Sequence, residues 1–348
     1  MDNELKNSNR TIWIDYIKAF AVILMLLGHC IEFGNGYEYR TNLQNFYNPI
    51  YVWIYSFHMP LFAIISGFFL VHSISTKTFM QCIWDKVKKV LIPIFCWQFI
   101  IVAFNYIHSL FRGGGSLKYA LLSYLNIYNN MWFLWATFFC SCLIICIHFW
   151  VHDNIFVYLI CIALTWLIPY YSLQLMLWLL PFFIFGYYCA RGNLLEKLSL
   201  PIIIICVVIH VLVLLNWSPL FYIYQSIGAG QYVFGEGCSL LQHILVNVVR
   251  LVSGLSGSIA IIGVFYTLRM VLTNGVISNI AELISRYSMS IYVSSVYIFN
   301  AFLRDMTTLQ FNFVHNIVQT IVILLLSMLF SKVLYSNRYT RFAFWGRR

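Results

Sequence analysis

Apolar segments long enough to cross a membrane recur along the whole chain, and they constrain its fold more than any other feature. A helix needs about 20 apolar residues to span the hydrocarbon core of a bilayer. Ten such segments are found, at 12–33, 50–72, 89–109, 131–151, 154–171, 173–191, 199–218, 243–269, 283–303 and 313–335. The sequence therefore predicts an all-α polytopic membrane protein with about ten transmembrane helices.

The composition excludes a soluble or disordered chain. Only 9% of the residues are charged and 61% are hydrophobic, whereas a soluble domain carries about 25% charged residues. An aromatic content of 19% is the opposite of a disordered composition. The polar connections are too short for a second domain. We therefore expect one transmembrane domain over 1–348, with short cytoplasmic tails at about 1–11 and 336–348.

The distribution of basic residues predicts the orientation. The net charge of +10 comes from 21 Lys and Arg against 11 Asp and Glu. If both termini are cytoplasmic, sixteen basic residues fall on that side, four on the other, and Arg250 lies inside the eighth segment. Cytoplasmic loops of membrane proteins carry such an excess, so the charge requires no nucleic-acid partner. Gly254 and Gly257 make the eighth segment a candidate for a tilted or broken span.

The first segment carries three ionisable residues, Asp15, Lys18 and His29. At about 100° per residue, Lys18 and His29 differ by about 20° around the helix and lie roughly 16 Å apart along it. Asp15 falls on the same stripe, one turn from Lys18, with which it can pair. Ionisable residues within a span usually face a polar interior and mark function. The alternative is that Asp15 and Lys18 are interfacial residues and His29 packs against a neighbouring backbone.

The second segment supplies another histidine, His58, two residues before Pro60. Because this segment runs antiparallel to the first, His58 and His29 are expected at similar depth in the outer half of the membrane. Proline within a helix frees a carbonyl, which polar groups nearby can satisfy. A single histidine bonded to this kinked backbone is the alternative interpretation.

These residues form a pattern that resembles the acyltransferase-3 family of integral membrane acyltransferases. The resemblance is to the branch of fucose 4-O-acetyltransferase-like proteins, which O-acetylate sugars of bacterial surface polysaccharides. The matching motifs are Asp15-Tyr16-Ile17-Lys18 with His29, Phe57 to Phe62 with Ser66-Gly67-Phe68, Lys86 to Pro93, Trp132-Phe133-Leu134, Pro181 to Tyr187, and Ser288 to Tyr292. The chain departs from the family at Val293-Ser294-Ser295, where a histidine often follows, and at Lys18, where many members have Arg.

The resemblance implies a membrane enzyme that transfers an acyl group, in the first place acetyl, from acyl-CoA to a glycan or lipid-linked sugar. It implies a bacterial inner-membrane location with lipid around the protein and no metal; the oligomeric state stays open. By this resemblance the catalytic candidates are His29, Asp15, Lys18 and His58, the CoA-binding candidates are Lys18, Lys86, Lys88 and Lys89, and the substrate-binding candidates are Trp132, Ser66 and Tyr292.

The chemistry of the residues agrees with this function. A sugar hydroxyl is a poor nucleophile at neutral pH, and a positioned base such as His29 accelerates its reaction about 10²–10⁴-fold. The pantetheine arm of CoA can follow the polar stripe from Lys18 toward His29. A transporter or flippase is the rival interpretation, but the sequence lacks the repeated halves common in transporters. The lysines at 86–89 also fit plain positive-inside anchoring, and Trp132 fits an interfacial tryptophan.

Overall fold

The computed structural model describes residues 2–111, 114, 116–124, 131–167, 171–222, 240–272, 275–299 and 310–346. Over these residues the chain is helical and contains no strand, which confirms the all-α fold. The α-helices are α1 (Asp2–Phe33), α2 (Tyr37–Thr41), α3 (Pro49–Thr76), α4 (Phe79–Lys86), α5 (Ile92–Phe111), α6 (Leu117–Tyr124), α7 (Trp132–Val151), α8 (Ile155–Leu167), α9 (Tyr171–Leu177), α10 (Leu180–Arg191), α11 (Leu200–Leu215), α12 (Leu240–Thr267), α13 (Val276–Ile298), α14 (Phe313–Ser336) and α15 (Arg338–Trp345).

The helices are those of a multi-pass integral membrane protein. Among the described residues, 7 segments are long and apolar enough to cross a membrane: Ile12–Phe33, Pro49–Thr76, Phe79–Phe111, Trp132–Val151, Leu173–Arg191, Leu241–Met270 and Phe313–Ser336. Two further apolar helices, α8 and α11, are shorter. Each of the ten predicted segments overlaps a helix. The count of ten and the cytoplasmic position of both termini stay predictions.

Helix α1 packs against both α3 and α13, and these three helices carry most of the predicted polar residues. Asp15 of α1 contacts Ser285 of α13, and His29 of α1 contacts Phe299 directly after α13. Both contacts advance by the same number of residues, so α1 and α13 run parallel. This agrees with the predicted topology, in which the first and ninth spans cross in the same direction.

Two motif glycines bring α3 and α10 into backbone contact. A Cβ atom added at Gly67 would lie 2.1 Å from the carbonyl oxygen of Phe183, and one at Gly186 would lie 2.0 Å from that of Ile64. Small residues allow such close approach between membrane helices. The two glycines thus join α3, which carries His58, to α10.

The eighth predicted segment is not broken: α12 is one continuous helix over Leu240–Thr267. Its glycines serve packing instead. A Cβ at Gly254 would lie 2.7 Å from Pro60 Cγ, and one at Gly257 would lie 2.7 Å from Phe57 Cβ. These contacts place α12 directly against the kinked, histidine-bearing part of α3.

The segment predicted as a C-terminal tail contains a packed helix, α15. Its Phe344 and Trp345 are buried, with their ring centroids 4.8 Å and 6.3 Å from that of Trp97. Gly346 ends the helix at φ +61°, where a Cβ would lie 2.1 Å from the carbonyl oxygen of Lys88. The end of α15 therefore packs against the π-helical turn Val87–Leu91, which joins α4 to α5.

A buried aspartate ties the short turn after α7 to α8 and α10. Asp153 accepts hydrogen bonds from Tyr158 (2.9 Å) and Tyr187 (3.1 Å), lies 2.7 Å from His148 Nδ1, and forms an ion pair with Arg191. Burial disfavours the charged carboxylate, but the hydrogen bonds with His148 and Tyr158 outweigh it, so the pKa of Asp153 lies below its ordinary value. The turn thus supplies His148 with an acidic partner.

The contact between α3 and α10 predicts that an alanine at Gly186 destabilises the protein, whereas an alanine at Gly114 does not. Gly186→Ala should lower the free energy of unfolding by about 1–3 kcal/mol, because the methyl group must push two backbones apart. Gly114→Ala is the matched control, since nothing lies within 4 Å of its added Cβ. Thermal unfolding in detergent, followed by size-exclusion fluorescence, measures both. Equal melting temperatures for Gly186→Ala and wild type would contradict the packing.

The Asp153 cluster predicts a pH-dependent loss of stability. A carboxylate with a lowered pKa stabilises the fold above the ordinary aspartate pKa of about 3.9 and loses that contribution as pH falls through the folded-state value. Asp153→Asn should therefore lower the melting temperature near neutral pH, and the difference from wild type should shrink on strong acidification. Glu282→Gln, which removes an exposed pair with Arg286, should change little. A difference for Asp153→Asn that grows on acidification would contradict the assignment.

Candidate functional site

A histidine, a carboxylate and two tyrosine hydroxyls meet where α1 ends and α3 begins. The Tyr55 hydroxyl lies 3.2 Å from His29 Nδ1 and 3.2 Å from Glu32 Oε2. The Tyr51 hydroxyl lies 3.3 Å from the same carboxylate oxygen. One turn of α1 therefore presents His29 and Glu32 to the first turns of α3.

The hydrogen-bond chemistry of Tyr55 fixes the role of each nitrogen of His29. A tyrosine hydroxyl has one proton, and an ionised carboxylate can only accept it. Tyr55 therefore donates to Glu32, and its oxygen accepts the N–H at Nδ1 of His29. This assignment leaves Nε2 as the acceptor nitrogen of the ring, which is the form a general base requires.

Glu32 is placed to stabilise a protonated His29. Its Oε2 lies 3.9 Å from His29 Nδ1, and its Oε1 lies 3.7 Å from Arg40 Nε. Arg40 also lies over the Phe33 ring, 4.3 Å from the centroid. The carboxylate thus faces one permanent cation and one residue that becomes cationic on taking up a proton.

The structure brings His58 and His29 to the same tyrosine, as their predicted depth implied. The ring centroid of Tyr55 lies 4.8 Å from that of His58 and 6.3 Å from that of His29. His58 Nδ1 lies 2.8 Å from the carbonyl oxygen of Ile54 and donates to it, so Nε2 is again the acceptor. His58 is only 2% exposed, which makes a charged form costly there.

Buried amides hold the end of α1 that carries His29 and Glu32. Asn316 of α14 donates to the carbonyl of Cys30 (3.0 Å), and Gln319 donates to that of Gly34 (3.2 Å). Asn35 donates to the carbonyl of Ile31 (2.8 Å). The last carbonyls of a helix have no partner within it. Asn35 satisfies one such carbonyl, and Asn316 and Gln319 fix the end of α1 against α14.

A cavity opens on the other side of Tyr55 and His58. Trp132, a predicted substrate-binding residue, lies in its wall. The lining residues are Tyr55, Ser56, His58, Met59, Trp132, Trp178, Trp217, Phe221, Tyr222 and Arg250. The guanidinium of Arg250 is buried and donates to the carbonyls of Phe221 (2.8 Å), Leu220 (3.3 Å) and Tyr222 (3.3 Å). Carbonyl oxygens thus compensate this cation inside a span.

The other residues of the predicted stripe lie away from this cavity, toward the predicted cytoplasmic end. Asp15 Oδ1 accepts a hydrogen bond from Ser285 Oγ at 2.5 Å, and Lys18 Nζ lies 4.4 Å from the centroid of Phe69.

The predicted substrate-binding residues Tyr292 and Ser66 also lie elsewhere. Tyr292 is hydrogen bonded to the backbone of Phe133. Ser66 follows His58 by eight residues on α3, which is roughly 12 Å along the helix. Ser66 and Tyr292 do not line the cavity with His58.

The predicted CoA-binding lysines divide into two groups. Lys88 and Lys89 lie 3.5 Å and 3.4 Å from the carboxylate of Asp85, which Lys77 also approaches to 2.5 Å. Lys86 instead is partly buried at the end of α4. Asp85 therefore neutralises part of the basic surface that the sequence indicated.

Two central residues of the site, Glu32 and Tyr55, were not predicted from the sequence. Glu32 follows His29 by three residues and Tyr55 precedes His58 by three, so each shares a helix face with its histidine. That spacing was the available signal. Where the family often has a late histidine, Ser294 and Ser295 donate to carbonyls of their own helix, those of Ile291 and Tyr292.

The described residues contain no group of three or more His, Cys, Asp or Glu side chains that could hold a metal ion.

A family model described as an acyltransferase domain matches residues 11–336. The match spans nearly the whole chain and agrees with the motifs around His29 and His58. The chain belongs to the acyltransferase-3 family, and it is a membrane acyltransferase. This membership favours the enzyme over the rival transporter.

Two curated proteins resemble part of the chain. It is 33% identical over 130 residues to the nodulation protein NolL of Sinorhizobium fredii, which is 37% of this chain and 34% of that protein. It is 28% identical over 132 residues to the NolL of Mesorhizobium japonicum, which is 38% of this chain and 34% of that protein. The chain thus spans about a third of the length of these curated relatives. No solved structure matches the chain.

The close contact between Gly28 and Tyr55 predicts that a side chain at position 28 disturbs the site. A Cβ at Gly28 would lie 2.7 Å from Cε2 of Tyr55. Gly28→Ala should displace the Tyr55 ring, disturb its bonds to His29 and Glu32, and lower acyl transfer about tenfold or more, because misplacing catalytic groups by about 1 Å has such an effect. Acyl transfer and the melting temperature are measured together. Full activity in the folded variant would show that Tyr55 need not keep this position.

Proposed function

We propose that this acyltransferase is an O-acetyltransferase of the bacterial cytoplasmic membrane. It moves an acetyl group from cytoplasmic acetyl-CoA to a hydroxyl of a cell-surface glycan or of its lipid-linked precursor. The observation that carries this proposal is the chain His29–Tyr55–Glu32 beside an aromatic cavity. It presents a histidine with an acceptor nitrogen and a carboxylate behind it, and the cavity lies on the far side of Tyr55, against His58.

In this reaction His29 carries one proton from the acceptor hydroxyl to the CoA thiolate. Its Nε2 takes the proton of the acceptor hydroxyl while the hydroxyl oxygen attacks the thioester carbonyl carbon. The carbon–sulfur bond then breaks, and the CoA thiolate receives the proton from the imidazolium. The products are an acetyl ester and CoA. His29 is thus base in the first step and acid in the second.

Glu32 makes His29 a better base than His58. The imidazolium that forms on His29 lies 3.9 Å from the Glu32 carboxylate, whereas His58 is 2% exposed and its Nδ1 faces a neutral carbonyl. A charge in an apolar interior is costly without a charged partner. His58 therefore serves as a neutral hydrogen-bond acceptor that orients the incoming hydroxyl.

Basic side chains at the predicted cytoplasmic surface suit the phosphates of acetyl-CoA. Lys88 and Lys89 lie at the predicted cytoplasmic surface, where acetyl-CoA is made, and share one carboxylate, Asp85. Lys18 lies between that surface and His29 on α1. The pantetheine arm then runs along α1 between α3 and α13, past Lys18, and brings the thioester to His29.

The sugar acceptor and the acetyl group are supported by the motifs shared with fucose 4-O-acetyltransferase-like proteins. The relatives named nodulation protein NolL match only part of the chain, so they support the proposal without defining the acceptor.

Replacing one histidine tests the proposal directly. His29→Gln keeps a polar side chain of similar size but cannot take up a proton, so acetyl transfer should fall about 10²–10⁴-fold. Purified protein in nanodiscs, radiolabelled acetyl-CoA and a panel of sugars and lipid-linked glycans provide the assay. His72→Gln is the matched control, because His72 is an exposed residue near the other end of α3. A folded His29→Gln variant with full transfer would refute the assigned base.

Glu32→Gln separates positioning from proton transfer in the same assay. It keeps an acceptor for the Tyr55 proton but removes the charge beside the imidazolium. The kcat should fall, because a neutral amide stabilises the imidazolium less than a carboxylate does. An unchanged kcat would mean that the Glu32 charge does not act on the base.

A further inference from the structure

We infer that Arg250 of α12 is a positioning residue for the site around His29. Its guanidinium holds the segment 217–222, and Tyr222 of that segment packs against the two tyrosines of the site. The inference rests on the proposed O-acetyl transfer. It adds a residue that acts on the reaction through other side chains and does not itself touch the reacting groups.

Arg250 is a cation in a costly place. It is 6% exposed and lies within Leu241–Met270, a segment apolar enough to cross a membrane. Charged residues within a membrane span are expensive and usually have a function. A guanidinium does not lose its proton in a protein, so its charge must be met by fixed acceptors.

The acceptors of Arg250 include three consecutive carbonyls of the segment 217–222. Its Nε donates to Phe221 at 2.8 Å, and its Nη2 donates to Leu220 and Tyr222, each at 3.3 Å. Its Nη1 donates to Oδ1 of Asn247, one turn earlier on α12, at 3.3 Å. The planar guanidinium carries its donors in a rigid fork. One side chain of α12 thus holds the backbone of this segment in one place.

The held segment places the ring of Tyr222 against the site. Its ring centroid lies 5.6 Å from that of Tyr51 and 6.4 Å from that of Tyr55. Its hydroxyl donates to the carbonyl of Phe46 at 3.2 Å, and its ring lies 4.7 Å from the Phe46 ring. Aromatic rings at such distances attract each other. Tyr222 is therefore fixed at both its backbone and its hydroxyl, with its ring on the site tyrosines.

The site tyrosines transmit the position of Tyr222 to the catalytic groups. The rings of Tyr51 and Tyr55 are stacked, with centroids 3.9 Å apart. Both hydroxyls bond to Glu32, and that of Tyr55 also bonds to His29. A tyrosine ring that loses a packing neighbour can tilt and move its hydroxyl. Misplacing a catalytic group by about 1 Å can lower a rate about 10²-fold.

A plain anchor for the connection between α11 and α12 is the competing role for Arg250. An anchor alone would affect the stability of the protein and leave turnover unchanged in the folded fraction. The contacts of Tyr222 with Tyr51 and Tyr55 are what predict an effect on turnover as well. The test must therefore separate kcat from KM and from folding.

The test uses full-length protein in nanodiscs with radiolabelled acetyl-CoA and a saturating acceptor that wild type labels. Arg250→Gln should lower kcat about tenfold or more and leave the KM for acetyl-CoA unchanged. Arg250→Lys keeps the charge but loses the fork, so its kcat should lie between those of Arg250→Gln and wild type. Arg269→Gln is the matched control, because Arg269 is exposed just after α12 and its Nη1 donates to the carbonyl of Tyr266. It should keep the wild-type kcat.

A double substitution tests whether Arg250 acts through Tyr222. Tyr222→Leu removes the ring that packs on the site tyrosines, so it should lower kcat by a similar factor. Combining it with Arg250→Gln should lower kcat little further, because two changes along one path of contacts are not additive. Independent effects that multiply would refute the path.

Hydrogen exchange provides a readout that needs no turnover. The amides of Phe221 and Tyr222 donate to the carbonyls of Ser218 and Pro219, so they exchange slowly only while this turn stays formed. Exchange over 217–222, followed by mass spectrometry, should be faster in Arg250→Gln and unchanged in Arg269→Gln. Equal exchange in Arg250→Gln and wild type would show that Arg250 does not hold the segment.

The outcomes separate this inference from the proposed function. If folded Arg250→Gln keeps the wild-type kcat, the positioning role is refuted and acetyl transfer stands. If wild type releases no CoA and labels no acceptor, the proposed function fails and the positioning role fails with it. Should Arg250→Gln not fold, Arg250→Lys and Tyr222→Leu decide the question by a fall in kcat at constant KM for acetyl-CoA.

Discussion

The hydroxyl of Tyr55 is the contact on which the site depends. It joins His29 on α1 to Glu32 on the same helix, and its own ring stands on α3 beside His58. In an apolar surrounding, a carboxylate and a histidine are stable only when their hydrogen bonds are satisfied. One tyrosine bonds to both of them, and it also sets which nitrogen of His29 carries the proton. The close fit of Gly28 against the Tyr55 ring keeps that geometry.

The rest of the structure supports this contact from three directions. The amides of Asn316 and Gln319 hold the end of α1, and the glycines of α12 bring that helix against the kinked part of α3. The backbone contact through Gly67 and Gly186 holds α3 to α10. The motif glycine Gly67 is thus explained by the closeness of the helices.

The sequence predicted the membrane fold and a similar depth for His29 and His58, which both contact Tyr55, because both follow from segment length and antiparallel neighbours. It could not predict Glu32, since a lone acidic residue at a span end looks interfacial until Tyr51 and Tyr55 surround it. It also could not show that Ser66 and Tyr292 lie away from the cavity, because helix period gives a face but not a neighbour. Trp178 and Arg250 come together only through tertiary packing of distant segments.

The backbone contact between α3 and α10 also limits how the protein can move. A carbonyl oxygen of each helix lies where a glycine of the other helix has no side chain. The two helices cannot slide past each other without breaking this contact, so they form one rigid body. His58 stands on that body. A transporter exposes its site by rocking one half against the other, whereas here the centre is expected to stay still. An acyl donor and its acceptor must therefore reach His58 without any sliding of α3 against α10.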